Sequence, residues 1–267
     1  MIFQIALPPS FPRAKGGTAF MRVTYYRSNR KKFPLPLLPT VVALCFFAAA
    51  LLVCTRVRAQ PAAAGAAPLA GCRFLLDAGH GGFDGGAKSA NGTVEAPLNL
   101  KVASYLQKEL EALGAQVLMT RTNDEALGAT KKEDMAVRRR MISEESLTAA
   151  ISIHMNNFPT ETPRGPRVFF WESSEQGKAL ALTLQNALDD ALGFARKEPL
   201  AGDYMVLRSG ANTCVLIECG FLSNPTDEAL LQTPAHQKRI AAVVAETLCA
   251  YYGSCDDLPS MATELGK

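Results

Sequence analysis

Three short apolar runs in this sequence lead into a single ionisable side chain, and that pattern narrows the fold more than any other feature. Residues 73–77 run through Ala78 and Gly79 into His80, residues 149–153 into His154, and residues 213–217 into Glu218. Runs of this length and character read as buried strands. The turn after His80 holds four glycines, Gly81, Gly82, Gly85 and Gly86, which let the backbone turn sharply at the strand end. Further strands are expected at 116–120, 167–171 and 204–207. Between the strands lie helical patterns. Leu98, Val102, Tyr105, Leu106, Leu110 and Leu113 recur at helical spacing from Glu95 until Gly114, and three more helices are predicted over 133–145, 175–192 and 234–252. Such alternation implies an α/β fold, a single domain whose mostly parallel twisted sheet is covered by helices on both faces. Open sheets of this kind carry their sites at the carboxyl ends of the strands.

Charge divides the chain into unlike parts. Of the 28 Lys+Arg residues, nine lie within 1–60, where there is no Asp or Glu. That leaves 19 basic against all 25 acidic residues downstream, a balance of −6. A mildly acidic domain is a poor nucleic-acid binder, because phosphate contacts need a basic face. The N-terminal part reads as a basic segment (1–34) before an apolar run (35–54) of the length of a membrane anchor or signal-peptide core. Basic residues on that flank stay inside, so the downstream domain faces outside the cytoplasm, membrane-anchored or secreted. The true start is Met1 or Met21. An Ala/Pro linker (55–71), the folded domain (72–253) and a loose tail (254–267) complete the division. Seven cysteines without a CxxC pair argue against a zinc-thiolate site. No disulfide framework is expected, and Cys249 with Cys255 is the one pair worth checking.

Histidine is scarce: His80, His154 and His236 are the three. Two of them lie at strand ends, which argues for a metal. Catalytic zinc commonly takes three N/O ligands and leaves a position for water. Glu95, fifteen residues past His80 and at a helix start, is the best third ligand. Glu218 ends an otherwise apolar strand, where a carboxylate is costly without a task or partner. Beside a metal-bound water it fits a general base that later becomes the acid. Read singly, each residue has a plainer account. A histidine after a strand is usually just hydrogen-bonded, Glu95 suits a helix dipole, and Glu218 is half of a buried ion pair, with Arg138 or Arg208 as partner. Spacing alone leaves the metal reading open.

The motifs tip the balance. LDAGHGG-D-GA from Leu76, then Glu95, SIHMN at 152–156 and LIECGFLSNPTDEALL at 216–231 resemble the zinc-dependent N-acetylmuramoyl-L-alanine amidases of the amidase 3 family. The resemblance spans about residues 73–252, with four motifs in order. It implies one zinc ion as cofactor, held by His80, Glu95 and His154, with Glu218 catalytic and peptidoglycan as substrate. An arginine sixteen residues before the second histidine falls on Arg138 and is expected to shape the site. Arg138, Asn156 and Arg208 are the candidates for substrate contact, Arg208 toward a stem-peptide carboxylate, although an ordinary surface arginine is its plainer reading. Ala78 departs from the family, standing where proline is common, but touches no ligand. Asp84-Gly85-Gly86 and the lone domain behind an apolar segment look like CwlD-type sporulation amidases. Those act on spore-cortex peptidoglycan, where peptide removal precedes muramic lactam formation. No wall-binding repeat is visible, so targeting falls to the membrane or an accessory protein. The rival readings are a zinc peptidase cutting within the stem peptide and a non-catalytic wall scaffold.

Overall fold

A computed structural model describes residues 67–144, 146–208 and 212–253. The segments assigned from sequence to 1–34, 35–54 and 254–267, and the linker up to residue 66, lie outside the described residues. Six strands form one sheet: β1 (Arg73–Ala78), β2 (Gln116–Met119), β3 (Ala149–Asn156), β4 (Arg167–Phe170), β5 (Leu200–Ala201) and β6 (Cys214–Phe221). Among the described residues five helices accompany them: α1 (Glu95–Ala112), α2 (Lys131–Ile142), α3 (Glu175–Leu192), α4 (Pro225–Leu231) and α5 (Pro234–Tyr252). The strand order is β2-β1-β3-β6-β4-β5, parallel except for the β4–β6 pair.

Local chemistry accounts for the helices. Ser174, Thr233 and Thr130 each accept a backbone N–H at the start of α3, α5 and α2, satisfying donors that a helix start leaves unpaired. Gly193 ends α3 in a left-handed conformation, φ 76°, which costs glycine least. Leu98, Val102, Leu106 and Leu110 form the buried stripe of α1.

The two sheet faces are unequal. Successive strand residues point to opposite sides. Phe74, Leu76, Ile151, Ile153, Val215 and Ile217 therefore share one face, packed with the buried residues of α1, α3 and α5. Leu75, Ala150 and Leu216 occupy the other, with Ile142 of α2 and Val206–Leu207 over them. By the same parity Asp77, Ser152, His154 and Glu218 fall on this thinner face. The site thus lies where the sheet is covered by one short helix and a turn.

Several sequence expectations are corrected. Residues 204–207 form a turn, closed by Leu207 N–H to the Tyr204 carbonyl at 3.0 Å, not a strand. Their apolar pattern comes from burying Val206 and Leu207 against the sheet. The edge strand β5 lies at Leu200–Ala201 instead. β3 and β6 continue past His154 and Glu218, with an irregular register after that pair. α4 was not anticipated, although Asn224 caps it and Pro225 opens it. Leu69, assigned to the linker, is fully buried and its N–H reaches the Leu113 carbonyl at 2.9 Å. Cys72 is disulfide-bonded, while Cys249, one half of the pair singled out from sequence, is a free thiol. Among the described residues no helix is long and apolar enough to cross a membrane.

Candidate active site

Three elements deliver three ligand-type side chains to one point. His80 comes from the glycine-rich turn after β1, Glu95 from the first residue of α1, and His154 from β3. One nitrogen or oxygen of each lies within 4.8 Å of the others. Glu95 sits between the histidines: Oε2 is 3.3 Å from His80 Nε2, and Oε1 is 2.8 Å from His154 Nδ1. Its carboxylate is 3 % exposed and also accepts from the Ala87 N–H (2.8 Å), the Met155 N–H (3.2 Å) and the Asn99 amide (3.0 Å). Burial pushes Glu95 up, but hydrogen bonds to His154 and His80 outweigh it and hold the carboxyl well below the usual range. It is a fixed anion.

The turn is built to fit this triad. His80 has φ 61°, a conformation rare for a side chain larger than glycine. A Cβ on Gly79 would stand 2.2 Å from the His154 ring, and one on Gly86 2.5 Å from Glu95 Oε2. The glycines are therefore required by close approach. His80 turns its other nitrogen, Nδ1, to Asp84 Oδ2 at 3.0 Å, the arrangement that orients a ligating histidine. Burial lowers the His80 pKa, but its bonds to Glu95 and Asp84 outweigh that and raise it. Two imidazole nitrogens and a carboxylate oxygen, converging and internally braced, suit a zinc-type cation. Among the described residues they are the group that could hold a metal.

Glu218 faces His154 directly across the β3–β6 pairing. It is 7 % exposed, and its Oε2 is buried with no hydrogen-bond partner. Burial is the main cause that pushes its pKa up to about 7. Neither partner considered from sequence reaches it. Arg138 is 2 % exposed and spends its donors on Asp77 (2.6 Å), Asp134 (2.7 Å) and the carbonyls of Ala78 (2.8 Å) and His80 (2.6 Å). It holds the backbone that carries His80. Its donors are engaged within the protein, and the side chain itself forms part of the cleft wall. Arg208 pairs with Asp203 and lies over the Trp171 ring at 5.3 Å; it does not line the cleft. Asn156 does line it, with Asn157, Tyr204 and Met205.

The cleft has a volume of about 360 Å³ and contains His80, Glu95, His154 and Glu218 in its walls. Sequence reasoning missed its supports. Asp77 is buried, accepting from Thr120 (2.9 Å), Ser152 (2.6 Å) and Arg138. Arg121 donates to the carbonyls of Ala78, Gly79 and Ala96. Asp77 and Asp84 stood within the first motif, so the signal was an unassigned carboxylate on either side of His80. Arg121 offered none, because its partners are all backbone carbonyls.

On this α/β sheet a group that could hold a metal ion thus stands beside a buried, unpartnered carboxylate, a site of the kind a hydrolase needs. The family model described as N-acetylmuramoyl-L-alanine amidase, Amidase_3, matches residues 74–250. The chain belongs to that family. It is 31% identical over 201 residues to the germination-specific N-acetylmuramoyl-L-alanine amidase of Bacillus subtilis (strain 168), covering 72% of this chain and 84% of the relative. It is also 31% identical over 189 residues to the probable cell wall amidase LytH of Staphylococcus epidermidis, covering 70% of this chain and 60% of that one. The fold matches the CwlD amidase of Clostridioides difficile, solved in complex with the GerS lipoprotein. There the TM-score is 0.64 at 30% identity, over 67% of this chain and 98% of that one.

Proposed function

We propose that this protein is a zinc-dependent peptidoglycan amidase outside the cytoplasm, and that it hydrolyses the bond between N-acetylmuramic acid and L-alanine during spore-cortex maturation. The observation that carries the reading is one cleft holding both a His-Glu-His cation site and a buried carboxylate with an unpartnered oxygen. His80, Glu95 and His154 would hold the zinc, braced by Asp84 and Asn99. Zinc so held supplies a Lewis acid that lowers the pKa of water and polarises a carbonyl. Glu218, with a pKa of about 7, is matched to both halves of the proton traffic. Its free oxygen takes a proton as water adds to the lactyl carbonyl, and returns it to the departing amine. The C–N bond breaks, a C–O bond forms, and the products are a lactyl carboxylate and a peptide with a free L-alanine amine. Asn156, at the cleft wall, is placed for the substrate's amide or sugar hydroxyls.

The cortex assignment rests on the likeness to the germination-specific relative. The complex of the Clostridioides CwlD with a lipoprotein supports an accessory protein here too. A disulfide at Cys72 fits an oxidising compartment, as does an apolar segment at 35–54 that would tether or export the domain. The test is digestion of purified cortex peptidoglycan by the full chain, with chelator and with zinc restored. Metal-dependent release of peptides that begin with L-alanine is expected. Peptides cut internally would make the protein a peptidase.

A further inference from the structure

A second hollow opens beside the catalytic cleft. Its volume is about 460 Å³, and it is lined by Lys131, Lys132, Met135, Ala136, Arg139 and Met205. Lys131, Met135 and Met205 also line the catalytic cleft, so the two hollows share a wall. The composition is specific. Met135, Ala136 and Met205 make an apolar floor, and Met205 is 48 % exposed. The rim is cationic. Lys132, Ala136 and Arg139 recur at helical spacing along one stripe of α2, and both charged residues are exposed. Lys131 is committed to Asp84 at 3.2 Å. No ion pair engages Lys132 or Arg139 among the described residues. Arg208, the sequence candidate for a substrate carboxylate, is spent on Asp203. The uncommitted cations beside the site are thus on α2, in a domain whose balance is otherwise acidic.

We propose that this hollow is a subsite for the stem peptide beyond L-alanine, with Lys132 and Arg139 meeting its free carboxylates and the methionine floor packing its aliphatic side chains. The inference rests on the amidase reading, since it places the scissile bond in the adjoining cleft. Charge complementarity selects the occupant: stem peptides carry carboxylates on an otherwise small, aliphatic chain. The same charges make amidation of those carboxylates a specificity determinant.

The test compares the full chain with the Lys132→Gln/Arg139→Gln variant, on muramoyl-tripeptides whose side carboxylates are free or amidated. For the free-acid substrate, KM should rise about five- to tenfold with kcat unchanged, in line with two modest exposed ion pairs. For the amidated substrate neither constant should move. Equal effects on both substrates, or none, overturn the subsite while leaving the amidase reading intact. A second arm measures binding of the free acidic tripeptide by fluorescence anisotropy, which needs no cleavage. If the variant binds it about five- to tenfold more weakly than the wild type, the subsite stands even where cleavage fails. If both bind it equally, and the variant loses only binding to anionic lipid vesicles, the stripe is a membrane contact and the proposal is wrong.

Discussion

Replacing Glu218 with glutamine should do two opposite things. It should remove most turnover, and it should stabilise the metal-free domain at neutral and higher pH. The second effect comes from burial. Glu218 is almost wholly enclosed with one oxygen unpartnered, and its pKa rises from 4.5 to about 7. The folded state therefore penalises the ionised carboxyl. Stability is fullest below pH 4.5, where folded and unfolded chains both carry the proton. It is lost progressively as pH rises to 7, because unfolding then lets the group ionise. At 1.36 kcal/mol per unit the loss is about 3 kcal/mol, a large share of the 5–15 kcal/mol that holds a typical domain. Glutamine has no charge to desolvate. In chelator, urea unfolding of wild type and Glu218→Gln should give a stability difference that grows by about 3 kcal/mol in the variant's favour between pH 4.5 and pH 8. Added zinc, whose charge favours the carboxylate, should shrink it. Turnover should fall about 10²- to 10⁴-fold, the usual worth of a positioned acid–base group, with bound metal unchanged. A stability difference flat in pH would refute the account of Glu218 as a costly buried acid.

Other perturbations test the supports. Arg138→Ala leaves Asp77 and Asp134 uncompensated and should cost about 3–5 kcal/mol in urea unfolding. Arg138→Lys should recover little of it, lacking the fork that reaches both carboxylates. Asp84→Ala frees the His80 ring and should weaken zinc about tenfold or more in a competition titration, with unfolding of the metal-free chain little changed. Gly79→Ala would drive a methyl into the His154 ring, so the purified variant should lose its metal by elemental analysis. Glu228 accepts from Ser89 (2.6 Å), Asn91 (2.8 Å) and Thr93 (2.6 Å), tying the segment before Glu95 to α4. Glu228→Ala should cost about 1–3 kcal/mol in thermal or urea unfolding.

The parts of the site that sequence made legible are those with a local signature. His80 and His154 stood out because histidine is rare and each comes after an apolar run. Glu218 stood out because a carboxylate interrupts one. α3 and α5 were legible to the residue because caps and apolar period agree there. What sequence does not display is chemistry that only tertiary contacts decide. Arg138 looked available, yet its guanidinium closes on Asp77 and Asp134 from another element. Arg208 is an exposed arginine paired with its neighbour Asp203, a contact the sequence alone does not display. Residues 204–207 form an apolar run as a short strand would, but Val206 and Leu207 turn inward to cover the thin face of the sheet. Asp84 was visible but not assigned, since its role exists only once the turn folds back onto His80.

The central claim is hydrolysis of the muramoyl–L-alanine bond at this cleft. The most direct measurement is digestion of peptidoglycan by the zinc-loaded full chain in oxygen-18 water, with the products read by mass spectrometry. The account predicts that the heavy oxygen enters the lactyl carboxylate of muramic acid, with the released peptides unlabelled and beginning at L-alanine. Label in a peptide carboxylate, with the lactyl–alanine bond intact, would contradict it.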